Sequence, residues 1–312
     1  MNRVSRLIES FNPEPQATAS PESVACGSGL NKTADCANLI YRCSPVSIST
    51  MPTIDSVAAR RAASARKRLL QMHFESGVGH IGGNLSCLDI LLALYHDVLT
   101  DIDQFVLSKG HAAGALYTAL WSVGRLSDSD LKTFHRDDTL LSGHPPARGI
   151  ADIPFATGSL GHGVGLAAGL ALGQRLNETA GRVICLTSDG EWNEGSTWES
   201  LIFSKHHQLA NLVVIVDQNG LQGFGTTSDV ADLSPLADKF RAFGLMTVEL
   251  DGHDQAALTR VLNSTNFPGP LMIVAKTIKG HGVSFMENRL EWHYLPMTAE
   301  QYEQACLEVA HP

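Results

Sequence analysis

Two polar side chains that suit metal binding follow two short apolar runs. Asp189 comes soon after Val183–Leu186, and Asn219, thirty residues later, comes soon after Leu212–Val216. Both runs are rich in β-branched residues and the stretch between them has helical character, which predicts a strand–helix–strand unit. Ligands of parallel sheets bind at the carboxyl ends of strands, where these two side chains would lie together.

The chemistry that suits this pair is the binding of a diphosphate through a hard cation. Mg²⁺ takes oxygen ligands and usually shares them with phosphates. The Asp189 carboxylate, the Asn219 amide oxygen and the backbone carbonyl of Leu221 would be three such ligands. Gly190 lets the backbone approach an anion closely, and the start of the following helix favours negative charge.

The whole stretch resembles the thiamine diphosphate motif of the transketolase family, which begins Gly-Asp-Gly and ends with an Asn at this spacing. The match extends to Glu194-Gly195, Trp198-Glu199, Asn211-Leu212 and Asp217-x-Asn219-Gly220-Leu221-Gln222. Ser188 stands where the first Gly usually is, and so small a side chain is expected to be tolerated. The alternative is an ordinary βαβ unit with an unrelated Asp and Asn.

On this resemblance, the cofactors are thiamine diphosphate and Mg²⁺, or another divalent cation such as Ca²⁺ or Mn²⁺. Asp189, Gly190, Glu191 and Asn219 would lie at the cofactor, and the metal would be held by Asp189, Asn219 and the Leu221 carbonyl. The family cofactor carries the carbon chemistry, while the protein binds and orients it.

Three histidines stand beside glycines in loops that the same resemblance places at the cofactor. They are His80 in the glycine-rich stretch Ser76–Gly83, His111 in Ser-Lys-Gly-His, and His144 in Ser-Gly-His-Pro. The resemblance implies that His80 reaches the cofactor and the donor substrate, that His111 contacts the diphosphate, and that His144 faces the reacting carbon. His80 and His144 are the expected catalytic residues, because imidazole titrates near neutral pH. A loop histidine outside any site is the alternative in each case.

A glycine-rich loop opens a later helix. Residues 157–163 resemble the family's Thr-Gly-x-Leu-Gly-x-Gly loop, which implies that Gly158 approaches the diphosphate and that Leu160 packs beside the cofactor rings. His162 stands where transketolases often have Gln, and it is given no catalytic role. Such a loop alone is weak evidence, since several folds use one.

Two histidines compete for a second position at the diphosphate. Residues 276–285 carry the family's Lys-Thr-x-Lys-Gly-x-Gly, after which the family has a histidine before Gly. His293 matches that histidine, with Tyr294 in place of the usual Gly, and His281 is the alternative. On the resemblance, His111 and His293 would offset the charge of the diphosphate.

Periodicity elsewhere predicts the elements that position these loops. Expected helices cover 55–74, Leu88–Val98 with Ser86 as its N-cap, Ala112–Val123, Val164–Leu176, Asp254–Leu262 and 298–308, and further expected strands cover Phe105–Leu107, Leu245–Leu250 and Leu271–Ala275. The fold class is therefore α/β, a parallel sheet flanked by helices, and the resemblance implies the diphosphate-domain fold that binds thiamine diphosphate.

Composition narrows the class of protein. The chain has 312 residues, 44% of them hydrophobic, 28 glycines and a net charge of −9, which suits an α/β enzyme domain and gives no support to a nucleic-acid or membrane partner. No apolar run approaches the ~20 residues of a membrane span. Six cysteines without a CxxC pair make the cytoplasm the default location. Residues 1–50, rich in Ser, Pro, Asn and Ala, are expected to be a disordered extension of a domain at 51–312.

The resemblance covers roughly residues 55–295 and corresponds to the first of three transketolase domains. In the family, the pyrimidine-binding domain supplies a glutamate that activates the cofactor, and the sequence ends at Pro312 before such a domain. We therefore expect the amino-terminal subunit of a split transketolase, with a separate carboxy-terminal subunit in an α₂β₂ assembly. Glu194 and Glu199 would lie near the interface. The expected reaction transfers a two-carbon ketol unit from a ketose (phosphate) donor to an aldose acceptor.

Two other interpretations stay open. One is another thiamine-dependent C–C ligase or lyase subunit, such as a deoxyxylulose-phosphate synthase relative, a 2-oxo acid dehydrogenase component or an enzyme of a specialised sugar or secondary-metabolite pathway. The Asn-Gly-Leu-Gln string after residue 218 and the Gly-His-Pro loop favour transketolase. The other is a non-catalytic regulatory or scaffold subunit, which the retention of both expected metal ligands and four loop histidines disfavours.

Overall fold

The computed structural model describes residues 57–146, 148–264 and 267–310. The extension expected at residues 1–50 lies outside the described residues. The α-helices are α1 (Val57–Ser76), α2 (Ile81–Ala93), α3 (Ala113–Ser122), α4 (Asp128–Leu131), α5 (Gly163–Leu176), α6 (Gly195–His206), α7 (Thr227–Ala231), α8 (Leu236–Ala242), α9 (Gln255–Asn263) and α10 (Ala299–Ala310). The strands are β1 (Gln104–Leu107), β2 (Val183–Ser188), β3 (Leu212–Gln218), β4 (Met246–Asp251) and β5 (Leu271–Lys276).

These strands form one sheet in the order β1-β2-β3-β5-β4, and every pairing is parallel. Along β2 and β3, Val183 pairs with Leu212 and Ser188 pairs with Asp217. This register ends both strands at the same edge of the sheet, so that Asp189 and Asn219 emerge from neighbouring strands. The predicted fold class, a parallel sheet flanked by helices, is confirmed.

Alternate residues along the strands enter two hydrophobic cores, one on each face of the sheet. On β2, Ile184 and Leu186 pack into the core that contains residues of α1, α2, α3, α9 and α10. Val183 and Cys185 pack into the core that contains residues of α5, α6 and α8. Because helices cover both faces, the central strands are continuous apolar runs rather than alternating ones.

The start of α2 differs from the sequence-based prediction. Ser86 is not an N-cap, because the helix begins at Ile81 and Ser86 lies inside it, 3.0 Å from the Gly83 carbonyl and 2.6 Å from the Asp217 carboxylate. The first turn of α2 packs so closely against Lys279 and Trp292 that a β-carbon on Gly82 would lie only 3.2 Å from their atoms. Glycine therefore suits this position. Tertiary packing here overrides the low helix propensity of glycine.

α2 is buried along its whole length and ends in a single π-helical turn, Leu94–Val98. Cys87 and Cys185 are buried free thiols, as predicted. Among the helices of the described ranges, none combines the length and the apolar character that crossing a membrane requires.

Candidate active site

The loops after β1, β2, β3 and β5 enclose a cavity of about 340 Å³ at the carboxyl edge of the sheet. The predicted site residues that line it are His80, His111, His144, Gly158, Leu160, Asp189, Gly190, Asn219, Leu221 and His293. Lys279 and Tyr294 also line it. The fold therefore brings ten of the eleven predicted site residues together, and Glu191 is the exception.

Asp189 joins the ends of β2 and β3. Its Oδ1 accepts a hydrogen bond from the Gly190 amide (2.7 Å), and its Oδ2 accepts one from the Gly220 amide (2.6 Å). Burial, and then the nearby Asp217 carboxylate, raise the pKa of Asp189 to about 6, because both disfavour the ionised form. A bound cation would counter both effects, so the electrostatics suit a metal ligand.

The other two expected metal ligands lie on the turn after β3. Asn219 is buried, and its Oδ1 accepts a hydrogen bond from the Leu221 amide (3.1 Å). The Leu221 carbonyl oxygen lies 3.3 Å from Nζ of Lys279. The hydrogen bond from Gly220 to Asp189 holds this turn against the turn after β2. Three oxygens of the kind that Mg²⁺ prefers thus come from two adjacent turns.

A buried ion pair that was not predicted from the sequence supports these turns. Lys109 and Asp217 are both fully buried and form a salt bridge. Lys109 also donates to the Gly83 carbonyl (2.9 Å), and Asp217 accepts hydrogen bonds from Ser86 (2.6 Å) and Thr277. The extra hydrogen bonds offset part of the desolvation cost of the two charges. The pair therefore ties β3 to the loop after β1, to α2 and to the end of β5. Its signal in the sequence is a carboxylate inside an otherwise apolar strand.

Three imidazole rings form a triangle in the cavity. The ring centroids of His80 and His111 are 5.7 Å apart, those of His80 and His293 are 5.1 Å apart, and those of His111 and His293 are 5.7 Å apart. His80 has a φ of 65°, which is uncommon outside glycine. Its amide donates to the His293 carbonyl (3.2 Å), and its carbonyl accepts from the Asn84 side chain (2.8 Å). Backbone strain of this kind clusters at functional sites.

Lys279 brings a positive charge into the cavity, beside histidines that were predicted to offset the charge of the diphosphate. Burial lowers the pKa of His80, His111 and His293, to about 3 for His293, so these rings are neutral near pH 7. Nζ of Lys279 lies 2.9 Å from Nδ1 of His293. Burial lowers the pKa of Lys279 to about 8, which leaves it mostly protonated at neutral pH. The sequence motif around Lys279 was recognised, but the side chain was not predicted to be a site residue.

His281, the alternative to His293, lies outside this cavity. Its ring stacks on His253 with centroids 3.6 Å apart, and its Nε2 lies 4.0 Å from the Asp89 carboxylate. The fold therefore brings His293, and not His281, to the other predicted site residues. His162, which was given no role, is exposed.

His144 packs against the glycine-rich loop before α5. A β-carbon on Gly158, whose φ is 147°, would lie 2.8 Å from the His144 ring, so this contact requires glycine. Thr157 anchors the loop by donating to the Leu107 carbonyl (2.6 Å). Although the residue is exposed overall, partial burial of its ring lowers the pKa of His144. Its neutral imidazole can therefore accept a proton from a bound ligand.

Glu191, which was also predicted to lie at the cofactor, is the one predicted site residue that does not line the cavity. It is fully buried in the 3-10 turn Gly190–Asn193. Its carboxylate accepts hydrogen bonds from the Ser108 hydroxyl, the Gly161 amide (2.9 Å) and the Ser188 amide (3.3 Å). Glu191 thus fastens the glycine-rich loop to the ends of β1 and β2.

The residues of the cavity fit a metal-bound diphosphate. Oxygen ligands for a hard cation and the ammonium of Lys279 stand within one small volume. Within the described residues, Nδ1 of His80 is buried and has no hydrogen-bond partner, which leaves it for a ligand. A larger groove of about 720 Å³ runs along α5, but Asp101 is its one titratable lining residue. The smaller cavity is therefore the candidate active site.

The chain is similar to transketolases in sequence and in structure. A family model described as "Transketolase, thiamine diphosphate binding domain" matches residues 59–309. An apulose-4-phosphate transketolase subunit of Phocaeicola vulgatus is 38% identical over 256 residues, which is 78% of this chain and 91% of that protein. The 6-deoxy-6-sulfo-D-fructose transketolase subunit SqwG of a Clostridium species is 36% identical over 255 residues, 78% of this chain and 93% of that protein.

Solved transketolase structures share the fold. The transketolase of Campylobacter jejuni superposes with a TM-score of 0.74 at 27% identity, over 81% of this chain and 42% of that one. The transketolase of Leishmania mexicana gives a TM-score of 0.74 at 25% identity, over 82% of this chain and 41% of that one. The chain thus spans about two-fifths of the length of these transketolases, but nearly the whole length of the two subunits described above.

Proposed function

The chain belongs to the transketolase family, and we propose that it is the amino-terminal, diphosphate-binding subunit of a split transketolase. The family predicted from the motifs is confirmed, as is thiamine diphosphate as the cofactor of this domain. The enzyme would be a transferase that moves a two-carbon ketol unit from a ketose (phosphate) donor to an aldose acceptor. It would act together with a separate carboxy-terminal subunit.

The observation that carries the proposal is the meeting of oxygen ligands and one ammonium in the cavity. Asp189, Asn219 and the Leu221 carbonyl come from the ends of adjacent parallel strands, and Lys279 reaches the same place from the loop after β5. We propose that the three oxygens hold Mg²⁺ and that Lys279 binds a diphosphate oxygen. Gly158 and Gly190 would let the backbone approach the same group.

Thiamine diphosphate supplies the carbon nucleophile of this family when it is bound, and the chain's own residues bind, orient and move protons. His111 and His293, held neutral by burial, would donate N–H hydrogen bonds to the diphosphate. Leu160 would pack beside the cofactor rings. His80 and His144 would orient donor hydroxyls and exchange protons with them, since both rings line the cavity and are neutral near pH 7.

A separate partner is supported by the names of similar proteins and by the surface around the cavity. The relatives from Phocaeicola vulgatus and Clostridium are each called a subunit. Three large hydrophobic residues beside the cavity mouth are exposed to solvent. The exposed fraction is 87% for Phe224, 54% for Tyr294 and 50% for Leu295. We propose that a carboxy-terminal subunit covers this rim in an α₂β₂ assembly and supplies the activating glutamate. Glu194, which lines the cavity, and Glu199 would lie near that interface.

The donor and acceptor are proposed by class only. Relatives named for apulose-4-phosphate and for 6-deoxy-6-sulfo-D-fructose favour a specialised sugar pathway as the second candidate. A cytoplasmic location stays a prediction from the cysteine pattern.

The proposal is tested by titrating thiamine diphosphate and Mg²⁺ into the full chain, with and without a candidate carboxy-terminal subunit. We expect Mg²⁺-dependent binding that Asp189→Ala abolishes, and ketol transfer only in the presence of both subunits. Asp137→Ala removes an exposed carboxylate far from the expected ligands in sequence and serves as the control. Unchanged cofactor affinity in Asp189→Ala would contradict the site assignment.

A further inference from the structure

A second cluster of titratable side chains lies where α2 meets the loops after β4 and β5. The side chains of Asp89, His253 and His281 place ligand atoms within 4.8 Å of one another, a spacing that would suit a metal ion. Both ring nitrogens of His253 are already hydrogen-bonded, which argues against metal binding by this residue. The Ile278 amide donates to Nε2 of His253 (3.0 Å), so Nε2 is unprotonated. Nδ1 therefore carries the hydrogen and donates it to Asp89 (2.9 Å), which leaves no lone pair for a metal.

We propose that His253 is a positioning residue that presents Lys279 to the cavity, and that Asp89 fixes the tautomer of His253 for this purpose. The inference rests on the proposed function, in which Lys279 binds the diphosphate. Carboxylate–histidine pairs commonly fix a ring nitrogen in this way, so that the other nitrogen meets a defined partner.

Asp89 is itself held rigidly. It is buried, forms a salt bridge with Arg66 of α1 and accepts a hydrogen bond from Gln255 (3.2 Å). The His281 ring covers one face of the His253 ring. The imidazole of His253 is thus fixed at one edge by Asp89 and on one face by His281, and its Nε2 is aimed at the Ile278 amide.

The backbone that carries Lys279 is anchored on both sides of that residue. The Ile278 amide is bound to His253, and the Gly280 amide donates to the Gly82 carbonyl (2.9 Å). Between these anchors, the Lys279 side chain is buried and reaches the Leu221 carbonyl at 3.3 Å and His293 at 2.9 Å. Loss of the first anchor would leave the Ile278 amide, immediately before Lys279, without its hydrogen-bond acceptor. Displacement of a site residue by about 1 Å can cost a large factor in function.

Two substitutions of His253 distinguish the contribution of its donor, Nδ1, from that of its acceptor, Nε2. His253→Asn keeps a donor near the Nδ1 position and loses the acceptor that Ile278 uses. His253→Gln places a carbonyl oxygen near the Nε2 position and keeps that acceptor. In the full chain without cofactor, we expect faster amide hydrogen exchange at Ile278 in His253→Asn, with protection largely restored in His253→Gln. Equal exchange at Ile278 in the wild type and His253→Asn would overturn the proposal.

The link to Lys279 is tested by a double-mutant cycle on thiamine diphosphate affinity in the presence of Mg²⁺. His253→Asn should weaken binding by about tenfold, a typical effect of losing an outer-shell partner. If His253 acts through Lys279, the double variant His253→Asn/Lys279→Met should bind no more weakly than Lys279→Met alone. Additive losses would overturn the link. If the wild-type chain, with the candidate partner present, does not bind the cofactor, the proposed function fails, while the exchange experiment still decides whether His253 anchors the loop.

Discussion

Nζ of Lys279 lies 2.9 Å from Nδ1 of His293, so an ammonium and a neutral imidazole share one wall of the cavity. An ammonium only donates, so Nδ1 accepts and Nε2 of His293 carries the ring hydrogen. The wall therefore offers an anion one full charge and one neutral N–H donor. On the proposed function, Lys279 and a metal ion would neutralise the charge of the diphosphate, and the histidines would hydrogen-bond to it.

Lys279→Met should weaken thiamine diphosphate binding by roughly 10- to 100-fold, since a hydrogen bond to a charged group is worth about 1.5–3 kcal/mol. Calorimetric titration in the presence of Mg²⁺ measures this loss. Lys276→Met is the matched control, because the Lys276 side chain is 65% exposed and pairs with Glu249 instead of reaching the cavity. Equal thiamine diphosphate affinities of Lys279→Met and Lys276→Met would show that Lys279 does not bind the cofactor.

Lys109→Met should destabilise the fold by about 3–5 kcal/mol, because it leaves the Asp217 carboxylate buried without its ion-pair partner. Replacing both residues, as Lys109→Met/Asp217→Asn, should recover part of that loss. Urea unfolding measures both. The control is Arg241→Ala, which breaks exposed ion pairs with Asp238 and Glu249 and should cost less than about 1 kcal/mol. A small cost for Lys109→Met would mean that the pair does not organise the loops.

Much of the sheet could be predicted because its residues alternate between two covered faces. The expected strand Leu212–Val216 is observed as Leu212–Gln218, and Leu271–Ala275 is observed as Leu271–Lys276. Apolar runs of this kind leave few other structures for the chain. The start of α2 could not be predicted, because Gly82 and Gly83 are helical only by virtue of packing against other parts of the chain.

The meeting of Asp189, Asn219 and Leu221 in one cavity could be predicted, because they follow the ends of neighbouring strands in a parallel sheet. The buried ion pair that supports the candidate site could not be predicted from the sequence. Lys109 and Asp217 lie 108 positions apart, and only the strand order places them in contact. Glu191 was predicted to lie at the cofactor because it follows Asp189 and Gly190 in the sequence. The direction of its side chain in the short 3-10 turn depends instead on its hydrogen-bond partners, Ser108, Gly161 and Ser188.

His73 should make the stability of the fold depend on pH. The ring is buried, and neither nitrogen makes a well-formed hydrogen bond within the described residues. Burial lowers the pKa of His73 from 6.5 to about 4. Between these values the unfolded chain binds more protons than the folded chain, so the free energy of unfolding falls as the pH falls. The His73 contribution should decrease by about 2 kcal/mol between pH 7.5 and pH 5.

His73→Phe isolates that contribution, because every other titrating group is common to both proteins. Urea unfolding of both proteins at pH 7.5 and pH 5 is the measurement. The variant should lose about 2 kcal/mol less than the wild type over this interval. A parallel loss in both proteins would show that His73 is protonated without cost in the folded state.

His144→Gln should lower the turnover of the assembled enzyme by roughly 10²- to 10⁴-fold, the usual effect of losing an acid–base group. The ring packs against Gly158, lines the cavity and is kept neutral by burial, so it can take a proton at pH 7. Cofactor affinity should stay near the wild-type value, because the proposed ligands of the metal and the diphosphate lie elsewhere in the cavity. His206→Gln, an exposed histidine at the end of α6, is the matched control. Calorimetry and steady-state kinetics with the partner subunit distinguish the outcomes: a matching loss of cofactor affinity would mean that His144 shapes the cofactor site rather than moving protons.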